Sequence, residues 1–391
     1  MRGTDKQPRQ AGQILVLAGV LLVALLAMTG LIIDGGNAWV QQRATQNATD
    51  SAANAGAGVL ARNLFEQGKT DGDVKQAVDS AAQANGIDPA SVSAYYTTRS
   101  GELLSPSVRV GDNPTQAPPS TAEGVQVHAT KSFGTYFAGV VGITTLSAAT
   151  SATAVSGWAQ LTSSILLPVA FPVTLPLCAP NGTLAPPKGD YPGVDDPAFV
   201  LALCKAADGN VGWLDWTPRQ GGVAEVDQSI KTPNNPPIPL PSWQYVTQTG
   251  NTNMSAIEAD LRAYDGQVVF IPLFDAQCGS DPGDPATTTC TDPPHGSNTW
   301  YHIPKVLAFR FCGPQPEISG ACGAVVGPDG VTRSYGHGAY INGGNSVCGT
   351  GNGETGCLVG KFVDYITGGV VDQGSGTGGA GFRVASVQLI R

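Results

Sequence analysis

Four histidines are the residues best suited to acid–base or metal chemistry in this sequence. They are His128, His295, His302 and His337. No two of them stand at a spacing typical of metal ligands, and neither H-E-x-x-H nor G-x-S-x-G occurs. We interpret His128, which falls on a predicted strand, as a surface residue. The histidines therefore predict no catalytic residue and no metal ligand.

Glycine-rich motifs could hold a phosphate, and G-x-G-x-x-G occurs at residues 351–356, 374–379 and 376–381. A dinucleotide site needs a strand before these glycines and a helix after them, because the helix N-terminus binds the pyrophosphate. The first motif lies between two cysteines, and the overlapping pair precedes a predicted strand. All three are predicted loops, so we expect no cofactor.

Two further clusters offer ligands of other kinds. An acidic region surrounds Cys278 and Cys290, formed by Asp275, Asp281, Asp284 and Asp292. Its spacing is not that of an EF-hand, so a solvated loop is favoured over a calcium site. Trp213 and Trp216 could form a sugar-binding face, although tryptophans of a core are the simpler interpretation.

Cysteine usage indicates an oxidising compartment, because all eight cysteines lie beyond residue 177 and their number is even. They are Cys178, Cys204, Cys278, Cys290, Cys312, Cys322, Cys348 and Cys357. There is no C-x-x-C, which favours disulfides over zinc ligands. Neighbours in sequence would close short loops, so we expect Cys178–Cys204, Cys278–Cys290, Cys312–Cys322 and Cys348–Cys357. Other connectivities stay open.

The element that must place all of these residues is the apolar stretch 14–33, ILVLAGVLLVALLAMTGLII. It has no charge and no proline, and as a helix it would be about 30 Å long, which matches the core of a bilayer. It is longer than the roughly 7–15 apolar residues of a signal peptide, and no clear cleavage site follows. The stretch therefore predicts a retained transmembrane helix, with the lipid bilayer as a partner.

The charges on either side of this stretch predict its orientation. Arg2, Lys6 and Arg9 precede it, whereas Asp34 follows it and the next cation is Arg43. Because Lys and Arg resist translocation, the N-terminus is predicted to be cytoplasmic and the bulk of the chain extracytoplasmic, in a cell-membrane protein with a single span. The formal net charge of −9, without a basic cluster, disfavours nucleic acid as a partner.

A helical pattern continues from residue 39 to residue 68, so the span is expected to extend outward as a rod. Small residues recur along one face of this rod at Ala44, Ala48, Ala52 and Ala55. Such a face allows close approach of another helix, or packing on the chain's own sheet, and both interpretations stay open.

The remaining chain predicts an α+β fold. A helix over residues 72–85, capped by Thr70 or Asp71, precedes strands at 91–98, 123–131 and 144–159. Beyond residue 160, strands are expected at 266–275, 305–312, 361–366 and 382–390, with one clear helix at 254–264. The prolines of residues 165–178 predict an edge strand or a linker.

The N-terminal residues resemble the TadG-like proteins of the Tad (tight adherence, Flp pilus) assembly system. The resemblance is carried by Gly12-Gln13, Asp34-Gly35 and the run QNATDSAA at 46–53, and then by residues 125–154 with the aromatic pair Tyr136-Phe137. Residues 210–216, 247–251, 266–275 and 301–311 look like the extracytoplasmic part of the same group. The resemblance implies a pilin-like fold and pilin-like or pilus-assembly proteins as partners.

Two features of the group are missing here. The fifth residue after Gly12 is Leu17 rather than the glutamate of prepilins, so we expect no processing by prepilin peptidase. The D-x-S-x-S metal motif found in larger TadG proteins is approached at Asp227, but the motif ends in Lys231 instead of serine. No metal site is expected there.

The sequence therefore predicts a cytoplasmic tail at 1–13, a transmembrane helix at 14–33, a helix plus antiparallel-sheet domain at 34–160, and a β-rich domain with disulfides at 161–391. The predicted function is that of a non-catalytic, membrane-anchored, pseudopilin-like structural or assembly factor of the Tad pilus. The alternatives are an anchored extracytoplasmic hydrolase and a surface adhesin that binds glycan through Trp213 and Trp216.

Overall fold

The fold is α+β, as predicted, and its helices and strands belong to two compact units. The computed structural model describes residues 11–158, 166–176, 178, 190–204, 212–214, 223–231, 240–249, 255–294, 299–313, 322–341, 348, 354–368, 371 and 384–390. The first unit contains Met1–Asn63, Gly68–Val155 and Leu389–Arg391. The second contains Leu64–Gln67 and Ser156–Gln388.

The first unit begins with helix α1, Ala11–Asn63, which is one unbroken helix of 53 residues. At about 1.5 Å per residue it is roughly 80 Å long. The predicted transmembrane helix and the predicted rod are thus parts of one helix, and this prediction is confirmed. The helix ends five residues before the predicted stop at Gly68, where the Asn63 side chain binds the backbone N–H of Lys69 at 2.6 Å and its carbonyl at 3.0 Å.

Helix α2, Asp71–Ala84, begins at a capping box in which Thr70 is the N-cap. The Asp73 backbone N–H donates to Thr70 Oγ1 at 3.2 Å, and the Thr70 N–H donates to Asp73 Oδ2 at 2.8 Å. Asp71, the other cap candidate, is buried instead. Its carboxylate accepts hydrogen bonds from the Tyr96 hydroxyl at 2.6 Å and from the backbone N–H of Gly111 at 2.7 Å.

Three antiparallel strands follow, β1 (Val92–Thr97), β2 (Gly124–Gly134) and β3 (Thr145–Trp158), with β2 between the other two. Helix α1 packs on β2 and α2. Gly56 makes this approach possible, because a Cβ added there would lie 2.9 Å from a methyl of Val78 and 3.2 Å from a methyl of Val125.

The second unit contains a ten-stranded sheet in which the strands follow the order β14-β15-β11-β8-β4-β6-β7-β10-β9, with β5 also paired to β15. These strands are β4 (Val169–Pro172), β5 (Phe199–Cys204), β6 (Gly212–Leu214), β7 (Ser242–Thr249), β8 (Val268–Phe274), β9 (Ala276–Cys278), β10 (Thr299–Ile303), β11 (Lys305–Phe311), β14 (Ala339–Tyr340) and β15 (Glu354–Phe362). Strands β12 (Ala324–Val326) and β13 (Thr332–Ser334) form a separate hairpin. Strand β16 (Tyr365–Gly368) pairs in parallel with β17 (Val384–Ile390).

Three predictions for this unit were wrong. The proline-rich run contributes β4, which lies inside the sheet between β8 and β6. This position is tolerated because Pro168 precedes the four-residue strand and Pro172 is its last residue. The predicted strand 361–366 is divided between β15 and β16. A second helix is present besides α4 (Ser255–Arg262), namely α3 (Val223–Lys231).

Four disulfides stabilise the second unit. They are Cys178–Cys204, Cys278–Cys290, Cys312–Cys322 and Cys348–Cys357. Each joins cysteines that are neighbours in the sequence, which is the pairing expected from loop length. Their sequence separations are 26, 12, 10 and 9 residues, so every bond closes a local loop.

Candidate functional site

The first part of α1 has the surface of a membrane-spanning helix. Its large apolar side chains point outward all around the helix, and only 6% of its most apolar window is buried. The hydroxyl of Thr29 donates to the Leu25 carbonyl at 2.8 Å, so the one polar side chain in residues 14–33 is satisfied within the helix. In the part of the chain that the structure describes, α1 alone is long and apolar enough to cross a bilayer.

Directly after this apolar surface, Asp34 binds a loop from the sheet. Its Oδ1 accepts a hydrogen bond from the backbone N–H of Tyr136 at 2.7 Å, and its Oδ2 accepts from Phe137 at 3.0 Å and Ala138 at 2.6 Å. Only 6% of Asp34 is exposed. The loop lies between β2 and β3, and we call residues 135–144 the β2–β3 loop.

The ionised form of Asp34 is the form that this arrangement favours. Desolvation by burial opposes the charge, but the N–H groups of Tyr136, Ala138 and Phe137 outweigh it. The pKa of Asp34 therefore lies below its ordinary value of 3.8. A carboxylate bound by three N–H groups holds the loop at one position along the helix.

Gly30 completes the contact between α1 and the β2–β3 loop. A Cβ added at Gly30 would lie 2.7 Å from the Cβ of Phe137, so the absence of a side chain is what lets the phenylalanine reach the helix backbone. Gly30 is four residues before Asp34, which is about 6 Å along the helix axis. The loop thus lies beside the last turn of the apolar stretch.

Farther along α1, two glutamine side chains bind strand β3. Gln42 Nε2 donates to the Ala149 carbonyl at 3.1 Å, and Gln46 Nε2 donates to the Ser151 carbonyl at 3.2 Å. The two glutamines are four helix residues apart, about 6 Å, and the two carbonyls are two strand residues apart, about 6.8 Å. Because these distances nearly match, both hydrogen bonds can form at once. Side chains of α1 therefore satisfy carbonyls of β3.

The small-residue stripe, for which the sequence leaves open both a partner helix and the chain's own sheet, divides into two parts in the structure. Ala48 and Ala52 are completely buried within the first unit, where α1 packs on the chain's own sheet and on α2. Ala44 is exposed and Ala55 is half-buried. Ala44 and Ala55 are therefore the stripe residues that remain accessible to another helix.

Comparison with known families gives a match that lies within α1. Residues 12–59 match a family model described as putative Flp pilus-assembly TadE/G-like. This segment is similar to the Tad family. The predicted resemblance is thereby confirmed for the N-terminal part of the chain. Neither the curated proteins nor the solved structures give a match.

The matched segment contains Gly30, Asp34, the glutamines that bind β3 and the whole alanine stripe. The matched residues thus include both the apolar surface and the residues that hold the sheet. The resemblance of the later segments, such as residues 266–275, stays a prediction.

The second unit brings two histidines beside carboxylates. His302 is buried, with Nδ1 at 2.5 Å from Asp275 Oδ1 and Nε2 at 2.9 Å from the Pro285 carbonyl. Both ring nitrogens therefore face oxygen acceptors of the protein, which leaves neither free for a substrate. This contact fixes the loop that contains the predicted acidic region.

The other histidine is more accessible. His337 Nδ1 lies 2.6 Å from Asp265 Oδ2, and the other oxygen of Asp265 accepts from the Gly338 N–H at 2.7 Å. The His337 side chain is 41% exposed. An imidazole oriented by a carboxylate is an arrangement that general bases use, although it also serves to fix a turn.

Residues near the rejected D-x-S-x-S motif form a charged cluster on α3 and α4. Lys231 Nζ lies 2.6 Å from Asp227 Oδ2 and 3.5 Å from Asp260 Oδ2. The hydrogen bond from Lys231 lowers the pKa of Asp227, whereas desolvation and the neighbouring Asp227 raise the pKa of Asp260. In the described ranges no group of three or more His, Cys, Asp or Glu could hold a metal ion.

The described residues of the acidic region bind their own backbone. Asp281 Oδ1 accepts from the Gly283 N–H at 2.9 Å, and Asp284 Oδ1 accepts from the Ala286 N–H at 2.9 Å. These are turn-forming contacts rather than converging ligands. Trp213 is buried, with 2% exposed, in the sheet core and offers no face to a sugar, while Trp216 and His295 lie outside the described residues.

The sequence alone does not identify the partner of Asp34. It gives Asp34 as the charge that follows the span and Tyr136-Phe137 as part of the resemblance, without a link between them. The signal was an uncharged run with the apolar segment AGVVGI, which follows the aromatic pair and is too short for a span. Contact over a sequence distance of about a hundred residues requires the fold itself.

Proposed function

We propose that this chain is a non-catalytic, pseudopilin-like component of Flp pilus assembly. In this proposal the N-terminus is cytoplasmic and residues 14–33 span the membrane, and the rest of the first unit and the second unit follow on the extracytoplasmic side. The observation that carries the proposal is the coincidence of the Tad match, residues 12–59, with the single helix that holds the apolar span and binds the sheet. Pilin-like and pilus-assembly proteins are the proposed partners.

Two independent features support the orientation. The cations Arg2, Lys6 and Arg9 precede the span, which is the distribution of a cytoplasmic N-terminus. All eight cysteines after the span are paired, and disulfides persist in extracytoplasmic compartments. A reporter fused after Arg391 tests this directly, because alkaline phosphatase folds only outside the cytoplasm. Phosphatase activity of this fusion supports the orientation. Fluorescence from a fusion, at the same position, to a fluorescent protein that folds only in the cytoplasm would contradict it.

The proposed role is mechanical and depends on the continuity of α1. The span is fixed in the bilayer, and Asp34, Gln42 and Gln46 bind the sheet to the same helix. A helix that is exposed in lipid and presents Ala44 beyond it would pack beside other pilin-like helices. The second unit would then meet pilus subunits or the outside environment.

The test of pilus assembly is a deletion with complementation in the cell that encodes this chain. We expect the deletion to abolish or sharply reduce surface Flp pili counted by electron microscopy, and the intact gene to restore them. Cross-linking from Ala44→Cys should capture a pilin-like protein of the same system. Normal piliation in the deletion strain would contradict the proposal.

The hydrolase alternative is favoured by one observation, the Asp265–His337 pair with its exposed imidazole. It predicts that His337→Ala abolishes a hydrolytic activity measured on esters, amides or glycosides. The pilus proposal predicts that this substitution leaves piliation unchanged. The two functions are therefore separated by one variant and two measurements.

A further inference from the structure

We propose that the β2–β3 loop is a second membrane contact, which inserts into the same face of the bilayer from which α1 emerges. This proposal depends on the membrane anchoring of α1, which belongs to the proposed function. The ligand is the lipid bilayer at the boundary between headgroups and acyl chains. The first observation is the surface of the loop. Val140 is 88% exposed, Val141 77% and Tyr136 70%.

The composition of the loop removes the main cost of insertion. No charged residue occurs between Lys131 and Lys188, so the whole loop is uncharged. Charged side chains are what apolar membrane surfaces exclude, whereas tyrosine is enriched at the membrane–water boundary. Trp39 of α1, which is 62% exposed with Arg43 over its ring at 4.8 Å, supplies a second aromatic residue near the same level.

The position of the loop along α1 places it at the edge of the bilayer. Phe137 packs against Gly30, which lies three residues inside the end of the apolar stretch at Ile33. Three residues of helix correspond to about 4.5 Å. If the apolar stretch fills the hydrocarbon core, the Phe137 side chain lies below its outer surface. An interfacial element inserts its apolar face to a depth of about 5–10 Å, which is comparable.

The backbone of the loop is also prepared for a medium without water. In lipid, an unpaired N–H or carbonyl costs several kcal/mol. The Asp34 carboxylate accepts hydrogen bonds from the backbone N–H groups of residues 136–138. The N–H groups of Thr135, Val140, Gly142 and Ile143 donate to carbonyls within the loop, at 3.0–3.1 Å. The loop thus carries its own hydrogen-bond partners.

A partner protein or a second copy of this chain could also cover an apolar loop, and the bilayer is favoured for a reason of continuity. The exposed loop contacts α1 at Gly30 and Asp34, next to the exposed apolar side chains of Leu31 and Ile32. Lipid that surrounds the end of the span therefore reaches the loop. A protein partner would have to displace that lipid.

The experiment uses the full chain reconstituted in phosphatidylcholine vesicles at less than one copy per vesicle. A single thiol is introduced at Val140, with its native cysteines left in their disulfides, and is labelled with an environment-sensitive dye. Leu31→Cys is the control for the span. Gln83→Cys is the aqueous control, since the neighbouring Asn85 binds Ser51, about 27 Å along α1 from Ile33.

We expect the Val140 label to be quenched by shallow lipid-attached quenchers, and aqueous iodide to quench it about five-fold less than the Gln83 label. Adding Asp34→Ala should return iodide access at Val140 while the Leu31 label stays in lipid. Equal iodide access at Val140 and Gln83, with Leu31 still quenched by lipid, would overturn the loop contact alone. Iodide access at Leu31 would overturn the anchor and the loop together.

A protein partner has its own signature in the same experiment. If the Val140 label is iodide-accessible in these vesicles but shielded in native membranes, the cover is a protein and the lipid proposal is wrong. Shielding that appears only when several copies share a vesicle would assign the loop to a second copy, and would equally contradict it.

Discussion

Thr49 of α1 and Thr150 of β3 join helix and sheet through their buried hydroxyl groups, whose oxygens are 2.6 Å apart. The Thr49 hydroxyl already donates its proton to the Thr45 carbonyl at 2.8 Å. Because a hydroxyl has one proton, Thr150 must be the donor in the contact between the two threonines. The hydrogen bond therefore has a defined direction, from the sheet to the helix.

This direction predicts the result of a double-mutant cycle. Thr49→Val leaves the Thr150 hydroxyl buried without its acceptor, so we expect a loss of about 1–3 kcal/mol in the free energy of opening of β3. Adding Thr150→Val to that variant should recover part of the loss, because no unpaired hydroxyl remains. Hydrogen exchange of residues 145–155 in the detergent-solubilised chain measures it. Strictly additive effects would contradict the direct contact.

The buried alanines predict a steric effect on the fold. Ala48→Leu and Ala52→Leu insert three carbons into a filled interior, and each should cost about 1–3 kcal/mol. The matched control is Ala44→Leu on the exposed face, with an effect within about 0.5 kcal/mol. The measurement is thermal unfolding of the full chain in detergent. Equal stability of all three variants would mean that α1 does not pack on the sheet as described.

The disulfides predict a graded loss of stability in the second unit. Replacing Cys178 and Cys204 by alanine removes a disulfide whose cysteines are 26 residues apart in the sequence. Replacing Cys348 and Cys357 removes one whose cysteines are 9 residues apart. Loop entropy gives about 3 kcal/mol for each bond, with the first roughly 1 kcal/mol larger. Chemical unfolding of the two variants checks the order. A larger loss for the shorter loop would show that strain or local packing decides.

Acidification should release the β2–β3 loop. Because the pKa of Asp34 is lower in the folded chain than the ordinary 3.8, its contribution to stability is complete above that value. The contribution is lost as the pH falls through the lower folded pKa. The emission of a dye at Val140→Cys should therefore change only below about pH 3.8.

The control for this titration is Asp34→Asn, which cannot ionise. Its dye emission should not depend on pH over the same range, and the loop should resemble the released state throughout. A transition near neutral pH in the parent protein would assign the change to a group other than Asp34.

The histidine pair predicts a structural effect that is independent of pilus assembly. His337→Gln removes the contact with Asp265 and should cost about 0.5–1.5 kcal/mol in the opening of residues 336–341, measured by hydrogen exchange. Asp265→Asn should affect the same peptide. Surface pili should remain at the parental number, and a loss of pili with an unchanged exchange rate would favour a chemical role for the imidazole.

Local patterns were sufficient where one residue type decides the structure. The apolar run, the cap at Thr70 and the alternation of Val125 and Val127 each depend on neighbours within a few residues, so the sequence alone predicts α1, α2 and β2. The cysteine pairs were accessible for the same reason, because each closes a short loop.

Contacts between distant segments could not be predicted in this way. The prolines around β4 predict an edge strand or a linker, whereas the partners that place β4 inside the sheet, β6 and β8, lie about 40 and 100 residues later in the chain. The residues next to Asp34 in the sequence do not indicate that its carboxylate accepts a hydrogen bond from the Tyr136 backbone N–H. Such pairings are set by tertiary packing rather than by local propensity.

The locality of the four disulfides has a consequence for biosynthesis. The most distant partners are Cys178 and Cys204, 26 residues apart, and no bond crosses another along the chain. A polypeptide threading through a translocation channel from its N-terminal end would therefore expose each pair in turn. The two cysteines of each pair can be oxidised to a disulfide before the first cysteine of the next pair emerges. Correct connectivity therefore needs no later exchange by an isomerase.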